Sequence, residues 1–258
     1  MNLHLRCLTP AVAMRALRCV SLLGFALLLA PAFAAAPAES PVSPPVPDTL
    51  QQRIAACTGC HGVHGEGSPD SGFFPRLAGK PAVYIERQLQ DFQNGLRKYA
   101  PMEYTVRGLD PAYLREIAGY FAAQQVPYAR SALPALPAAT LQRGEQLVSA
   151  GDPARRIPAC QQCHGNQLTG VEPDIPGLVG LPYDYISAQL GAWRTHTRAT
   201  VAPDCMAEVA GRLSESDITA VAAWLASREL PADMHAQPAG SVQPPLRCGV
   251  LADGKAGT

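Results

Sequence analysis

Charge is scarce in this chain of 258 residues: 16% of the side chains are Asp, Glu, Lys or Arg, against roughly a quarter in an average domain. The 21 basic and 21 acidic residues cancel, so there is no cationic field for a polyanion and the signature of nucleic-acid binding is missing. Aromatic side chains make up only 6%, and no segment alternates apolar and polar residues as a half-buried strand does. The uncharged apolar run from Val20 to Ala30 ends at Pro31 and is short against the ~20 residues that span a bilayer. Helices and loops remain, and the 25 prolines and 22 glycines make the loops many without reaching the share that marks a disordered chain.

The amino terminus has a different character. Arg6, Arg15 and Arg18 precede the apolar run, and Ala32-Phe33-Ala34 follows it, the pattern of a secretory signal peptide over residues 1–34 cleaved after Ala34. A retained anchor is the alternative, and Arg18 before Cys19 speaks against a lipid-bearing cysteine. Cleavage removes three arginines and no acids, leaving 18 basic against 21 acidic side chains, a balance of −3. Six of the eight cysteines stay: Cys57, Cys60, Cys160, Cys163, Cys205 and Cys248. Export places them where disulfides persist.

Proline-rich stretches divide what remains. Residues 35–47 read as an extended lead-in, 48–127 as a first domain, 128–138 as a linker, 139–230 as a second domain and 231–258 as a carboxy-terminal tail. The two domains are copies. Cys57-Thr-Gly-Cys60-His61-Gly62 lies over Cys160-Gln-Gln-Cys163-His164-Gly165, and Pro75 and Pro176 follow. Tyr84 then pairs with Tyr185, Gln88 with Gln189, Phe92 with Trp193 and Arg97 with Arg198, before Met102 reaches Met206. An internal repeat of this length implies one supersecondary unit used twice. Helical spacing predicts helices over 81–94 and 183–195. Asp110-Pro111 and Ser214-Glu-Ser-Asp217 are helix starts for 113–123 and 218–226. The expected class is all-α, short helices packed around something large.

Cys-x-x-Cys-His, present twice, indicates what that is. Two thiols on one helical turn can each add to a haem vinyl group, and the adjoining imidazole then falls under the iron. A dithiol redox pair, or two pairs sharing one zinc, would not need the histidine. Two haem c groups, covalently attached through Cys57, Cys60, Cys160 and Cys163, would also complete cores that small domains with few aromatics cannot build alone. His61 and His164 are the proximal iron ligands on this reading. Of the methionines beyond the leader, the repeat selects Met102 and Met206 as distal ligands, both expected in polar, Pro-containing loops, while Met234 has no counterpart. Bis-histidine coordination through His64, His196 or His235 is the alternative. Pro75 and Pro176 are candidates to present a carbonyl to the ligating imidazoles. Arg97 and Arg198 are candidates to face haem propionates, with solvent as the alternative.

The tandem units, each with its Pro-x-Leu-x-Gly, Tyr, Gln-Leu helix and downstream Met, resemble the dihaem cytochrome c4 family over roughly residues 48–230. The resemblance implies two class I cytochrome c domains with His/Met haems in one periplasmic electron carrier, not an enzyme. It would work between a quinol-oxidising complex or dehydrogenase and a terminal oxidase or reductase, as a monomer that associates with membranes no more than loosely. A cytochrome subunit of a dehydrogenase, as in flavocytochrome c sulfide dehydrogenase, and a dihaem thiosulfate dehydrogenase-like enzyme are the alternatives. Cys205 and Cys248 stand outside the haem motifs. In an exported protein they are expected to form a disulfide, which would tie the tail to the segment holding Met206; a free or iron-ligating Cys205 thiol is the other possibility.

Overall fold

The computed structural model describes residues 48–251; the expected signal peptide, the lead-in and the last residues of the tail lie outside the described residues. Four helices form the first half: α1 (Leu50–His61), α2 (Ala82–Gln93), α3 (Ala100–Val106) and α4 (Pro111–Ala122). Local chemistry starts them. Thr49 accepts from the Gln52 amide at the head of α1, and Asp110 accepts from the Tyr113 amide with Pro111 in the first turn of α4, each satisfying an amide that the helix leaves free. Ile85, Leu89 and Phe92 of α2 point inward at helical spacing, onto Leu114, Ile117 and Phe121 of α4. Each such side chain contributes about 2 kcal/mol by leaving water.

The second half repeats the plan with additions. It contains α5 (Ala138–Ser149), a 3₁₀ turn (Pro153–Arg155), α6 (Gln161–His164), a hairpin of β1 (Gly170–Val171) and β2 (Ile175–Pro176), then α7 (Tyr183–Arg194), α8 (Cys205–Arg212) and α9 (Glu215–Ser227). Ser214 and Asp217 cap α9 reciprocally. Helices α5 and α9 cross at Gly144, where a methyl group would strike the Ala220 carbonyl. Their core, with Leu147, Ile186, Leu190, Val221 and Leu225, is separate from that of the first half.

Two expectations change. Met102 and Met206 do not sit in loops but in the first turns of α3 and α8, helices that start at Ala100 with Pro101 in the first turn and at the Asp204 cap. The hairpin was not expected, because two residues per strand are too few to show alternation. The tail packs onto the second half: Gln237 joins the hairpin, donating its amide to the Gly170 carbonyl and accepting from Glu172, and the Gly249 amide reaches the Pro203 carbonyl.

The halves meet along a short antiparallel bridge between Arg97 and Arg198, where Lys98 donates to the Thr197 carbonyl and Ala199 to that of Leu96. The two partners are repeat equivalents, so the contact relates the domains by approximate two-fold symmetry.

Candidate functional site

Each Cys-x-x-Cys-His segment ends a helix, α1 in one domain and α6 in the other. Gly62 and Gly165 stop them with φ of 87° and 85°; any side chain there would be strained and would run into Glu66 or Gln237. The turn leaves His61 and His164 buried, 6% and 7% exposed. Nδ1 of His61 lies 2.8 Å from the Pro75 carbonyl and Nδ1 of His164 lies 2.8 Å from that of Pro176. A carbonyl only accepts, so Nδ1 carries the proton and Nε2 is left as a lone-pair donor. Burial holds both imidazoles below the usual histidine range, the neutral form a metal requires.

Two cavities complete the sites. One of about 280 Å³ is lined by Cys57, Cys60, His61 and Met102 together with apolar side chains of α2 and α4; the other, of about 180 Å³, by Cys160, Cys163, His164 and Met206. Native interiors hold few voids larger than a water, so cavities of this size are binding sites. His64, His196 and His235 are exposed and line neither.

The donor chemistry fits haem c. Burial pushes the Cys57 thiol up to about 11 and that of Cys160 up to about 12, so with no metal bound both are neutral thiols. Among the described residues no group of three or more Cys, His, Asp or Glu is placed to hold a metal ion, which sets zinc aside. Between the cavities lies a cationic cluster. Arg97 donates to its own Gln88 and to Gln189 and Tyr185 of the other domain; Arg198 donates to its own Gln189 and to Gln88 and Tyr84. Lys80 lines both cavities, its ammonium pulled down to about 8 by burial. No carboxylate among the described residues lies within ion-pair distance of these three cations. Arg198 is buried, Arg97 and Lys80 are half-buried, and the one carboxylate among the described residues that acts on the arginines is that of Asp91; shielded cations need anions, and a haem brings its own in the propionates. In the second cavity the indole nitrogen of Trp193 is buried without a partner, a further donor for the same groups.

The tail forms part of the second cavity. Cys205 and Cys248 are joined as a disulfide, and Pro244, Leu246, Val250 and Leu251 line the cavity on the Met206 side. Sequence reasoning had placed Gln88, Gln189, Tyr84 and Tyr185 only as register marks of the repeat. Lys80 was missed, since Leu181 is its counterpart and the repeat gave no signal there.

A helical domain used twice, each copy with two thiols, a carbonyl-anchored imidazole and a methionine around one cavity, defines a c-type cytochrome with two haem sites. The cytochrome c family model matches residues 51–125. The chain is 37% identical over 198 residues to the thiosulfate dehydrogenase electron acceptor of Thiomonas intermedia, covering 77% of this chain and 87% of that one. It is 33% identical over 177 residues to cytochrome c4 of Pseudomonas aeruginosa, covering 68% and 85%. Among solved structures, reduced cytochrome c4 from Pseudomonas stutzeri aligns with a TM-score of 0.57 at 30% identity, over 69% of this chain and 96% of that one. Thiosulfate dehydrogenase from Marichromatium purpuratum aligns at 0.61 and 34% identity, and this chain spans only 39% of it. The chain belongs to the dihaem cytochrome c4 family and is a cytochrome c4-like electron-transfer protein. Among the described residues no helix is long and apolar enough to cross a membrane.

Proposed function

We propose that the protein is a periplasmic dihaem carrier that receives electrons from a dehydrogenase oxidising thiosulfate and delivers them to a terminal oxidase or reductase. The observation that carries the carrier reading is that each cavity offers both an imidazole and a thioether to one iron, leaving no coordination position for a substrate. The donor is suggested by the relatives named as thiosulfate dehydrogenase electron acceptors, from Thiomonas intermedia and Stutzerimonas stutzeri. The compartment follows from the leader read over residues 1–34. Residues 48–127 and 139–230 are the two haem domains on this proposal, joined by 128–138.

Cys57, Cys60, Cys160 and Cys163 would hold the haems, with His61 and Met102 as iron ligands in the first domain and His164 and Met206 in the second. Bound haem supplies reversible one-electron chemistry at iron. The protein's part is to tune it. The Pro75 and Pro176 carbonyls keep each imidazole oriented and raise its donor strength, the thioethers favour the reduced state, and Arg97, Arg198 and Lys80 offset the propionate charge between the cavities. Cys205, engaged with Cys248, is not offered to iron, which favours the carrier over a thiolate-ligated enzyme. The test is stopped-flow mixing of the oxidised holoprotein with a thiosulfate dehydrogenase and thiosulfate. Rapid reduction of two haems, with no thiosulfate consumed by the cytochrome alone, supports the proposal; turnover by the cytochrome alone overturns it.

A further inference from the structure

Among the departures from two-fold symmetry between the domains, one is an ion pair that joins them. Arg87 of α2 reaches across to the hairpin of the second domain, placing Nη2 2.8 Å and Nε 3.2 Å from the same carboxylate oxygen of Asp174. The Asp174 side chain is 8% exposed, so the pair is largely shielded from water. By the register that pairs Pro75 with Pro176, the equivalents are Ala188 for Arg87 and Phe73 for Asp174. No ion pair is possible there, and Phe73 is 65% exposed.

Asp174 occupies the turn of the hairpin, and Pro176 is paired with Gly170 in its ladder. The carbonyl of Pro176 is the acceptor for His164 Nδ1. A side chain of the first domain thus holds by an ion pair the loop that orients the second domain's imidazole; the first domain's own loop meets the other domain by close packing alone, Gly72 lying against Asp184 and Tyr185. Gln237 of the tail braces the hairpin from its other strand, so Arg87 sets its position rather than its existence.

We propose that Arg87 and Asp174 are positioning residues for the second haem alone: their ion pair holds the Pro176 carbonyl on His164 and so keeps the potential of that haem lower than its ligands alone would make it. The inference rests on His164 ligating haem. Donation from Nδ1 to a carbonyl makes the imidazole a stronger ligand and favours ferric iron; loosening the loop weakens that donation and favours ferrous iron.

The charges of the pair supply the discriminating test. Arg87→Gln removes a positive charge, which by Coulomb effect alone lowers the potential, whereas Asp174→Asn removes a negative charge and raises it. A positioning role moves both the same way. In redox titrations of the holoprotein, both variants are expected to raise one of the two one-electron steps, by an amount equal to about a ten-fold change in the reduced-to-oxidised ratio, leaving the other step in place. The step that moves is identified by the large drop that Met206→His causes in it. Exchange of the His164 Nδ1 proton, followed by NMR, is expected to speed up in both variants. Arg115→Gln, which breaks the exposed pair with Glu86, serves as control and is expected to move neither step. Shifts of opposite sign, no shift, an equal shift in the control, or lowered thermal stability with both potentials unmoved would each overturn the proposal. Fewer than two one-electron steps in the unaltered protein would instead refute the dihaem reading.

Discussion

Arg97 and Arg198 stand opposite each other in the antiparallel bridge between the domains, and each donates at once to its own domain's glutamine and to the other's. Gln88 and Gln189 therefore each accept from two guanidinium groups, one per domain. The arrangement uses the planar, multi-donor geometry of arginine, which lysine cannot reproduce. It also seats two positive charges between the cavities proposed to receive one dianionic haem each.

Removing one member should weaken the contact and the field together. Arg198→Ala is expected to lower stability by about 2 kcal/mol, because a buried group with several hydrogen bonds is lost. Arg198→Lys should recover the charge but only part of the stability. Denaturant unfolding followed at the haem absorption band, with redox titration of the same samples, separates the effects: the alanine variant alone should also show a lowered potential, since a positive charge that favours ferrous iron has gone.

The tail gives a second test. The disulfide between Cys205 and Cys248 closes a separation of 43 residues, and loop-closure entropy assigns such a link about 4 kcal/mol. Cys248→Ser is expected to destabilise the second domain by an amount of that order and to free the turn carrying Met206. Added cyanide should then displace the methionine at one haem faster than in the parent protein. Unchanged cyanide kinetics would show that the tail covers the cavity without restraining the ligand.

The pH profile should carry the mark of Asp217. Burial opposes its ionisation, but hydrogen bonds from Arg155, Ser214 and Arg143 hold its carboxyl well below the usual range. The folded-state value lies below that of the unfolded chain, so the unfolded chain takes up the proton first. The contribution is present in full above the unfolded value of 3.8 and is lost as the pH falls through and below it. Asp217→Asn is expected to cost about 2 kcal/mol at neutral pH and to flatten the fall in stability below pH 3.8, measured by unfolding across an acid series.

The parts of this structure that were legible in the sequence are those with local chemistry. The haem motifs carry their own spacing, and Asp110-Pro111 and Ser214 to Asp217 announce α4 and α9 through the amides they cap. Pro75 and Pro176 could be singled out because they recur after each motif, although only the fold brings their carbonyls to the imidazoles. What could not be read depends on distance along the chain or on very short elements. Helix α3 has seven residues, too few for a hydrophobic period, so Met102 seemed to belong to a loop. Lys80 and the pair of Arg87 with Asp174 have no partner in the repeat, and contacts across 87 residues leave no mark in local composition.

The central claim is that both irons are held by histidine and methionine. It is tested most directly by the near-infrared absorption of the ferric holoprotein, where methionine ligation gives a weak band, normalised to haem content by the pyridine haemochrome. Two haems per chain are expected, with a band intensity matching two methionine-ligated irons, halved in Met102→His and in Met206→His alike. A band of half that intensity in the unaltered protein, or one insensitive to either substitution, would contradict it.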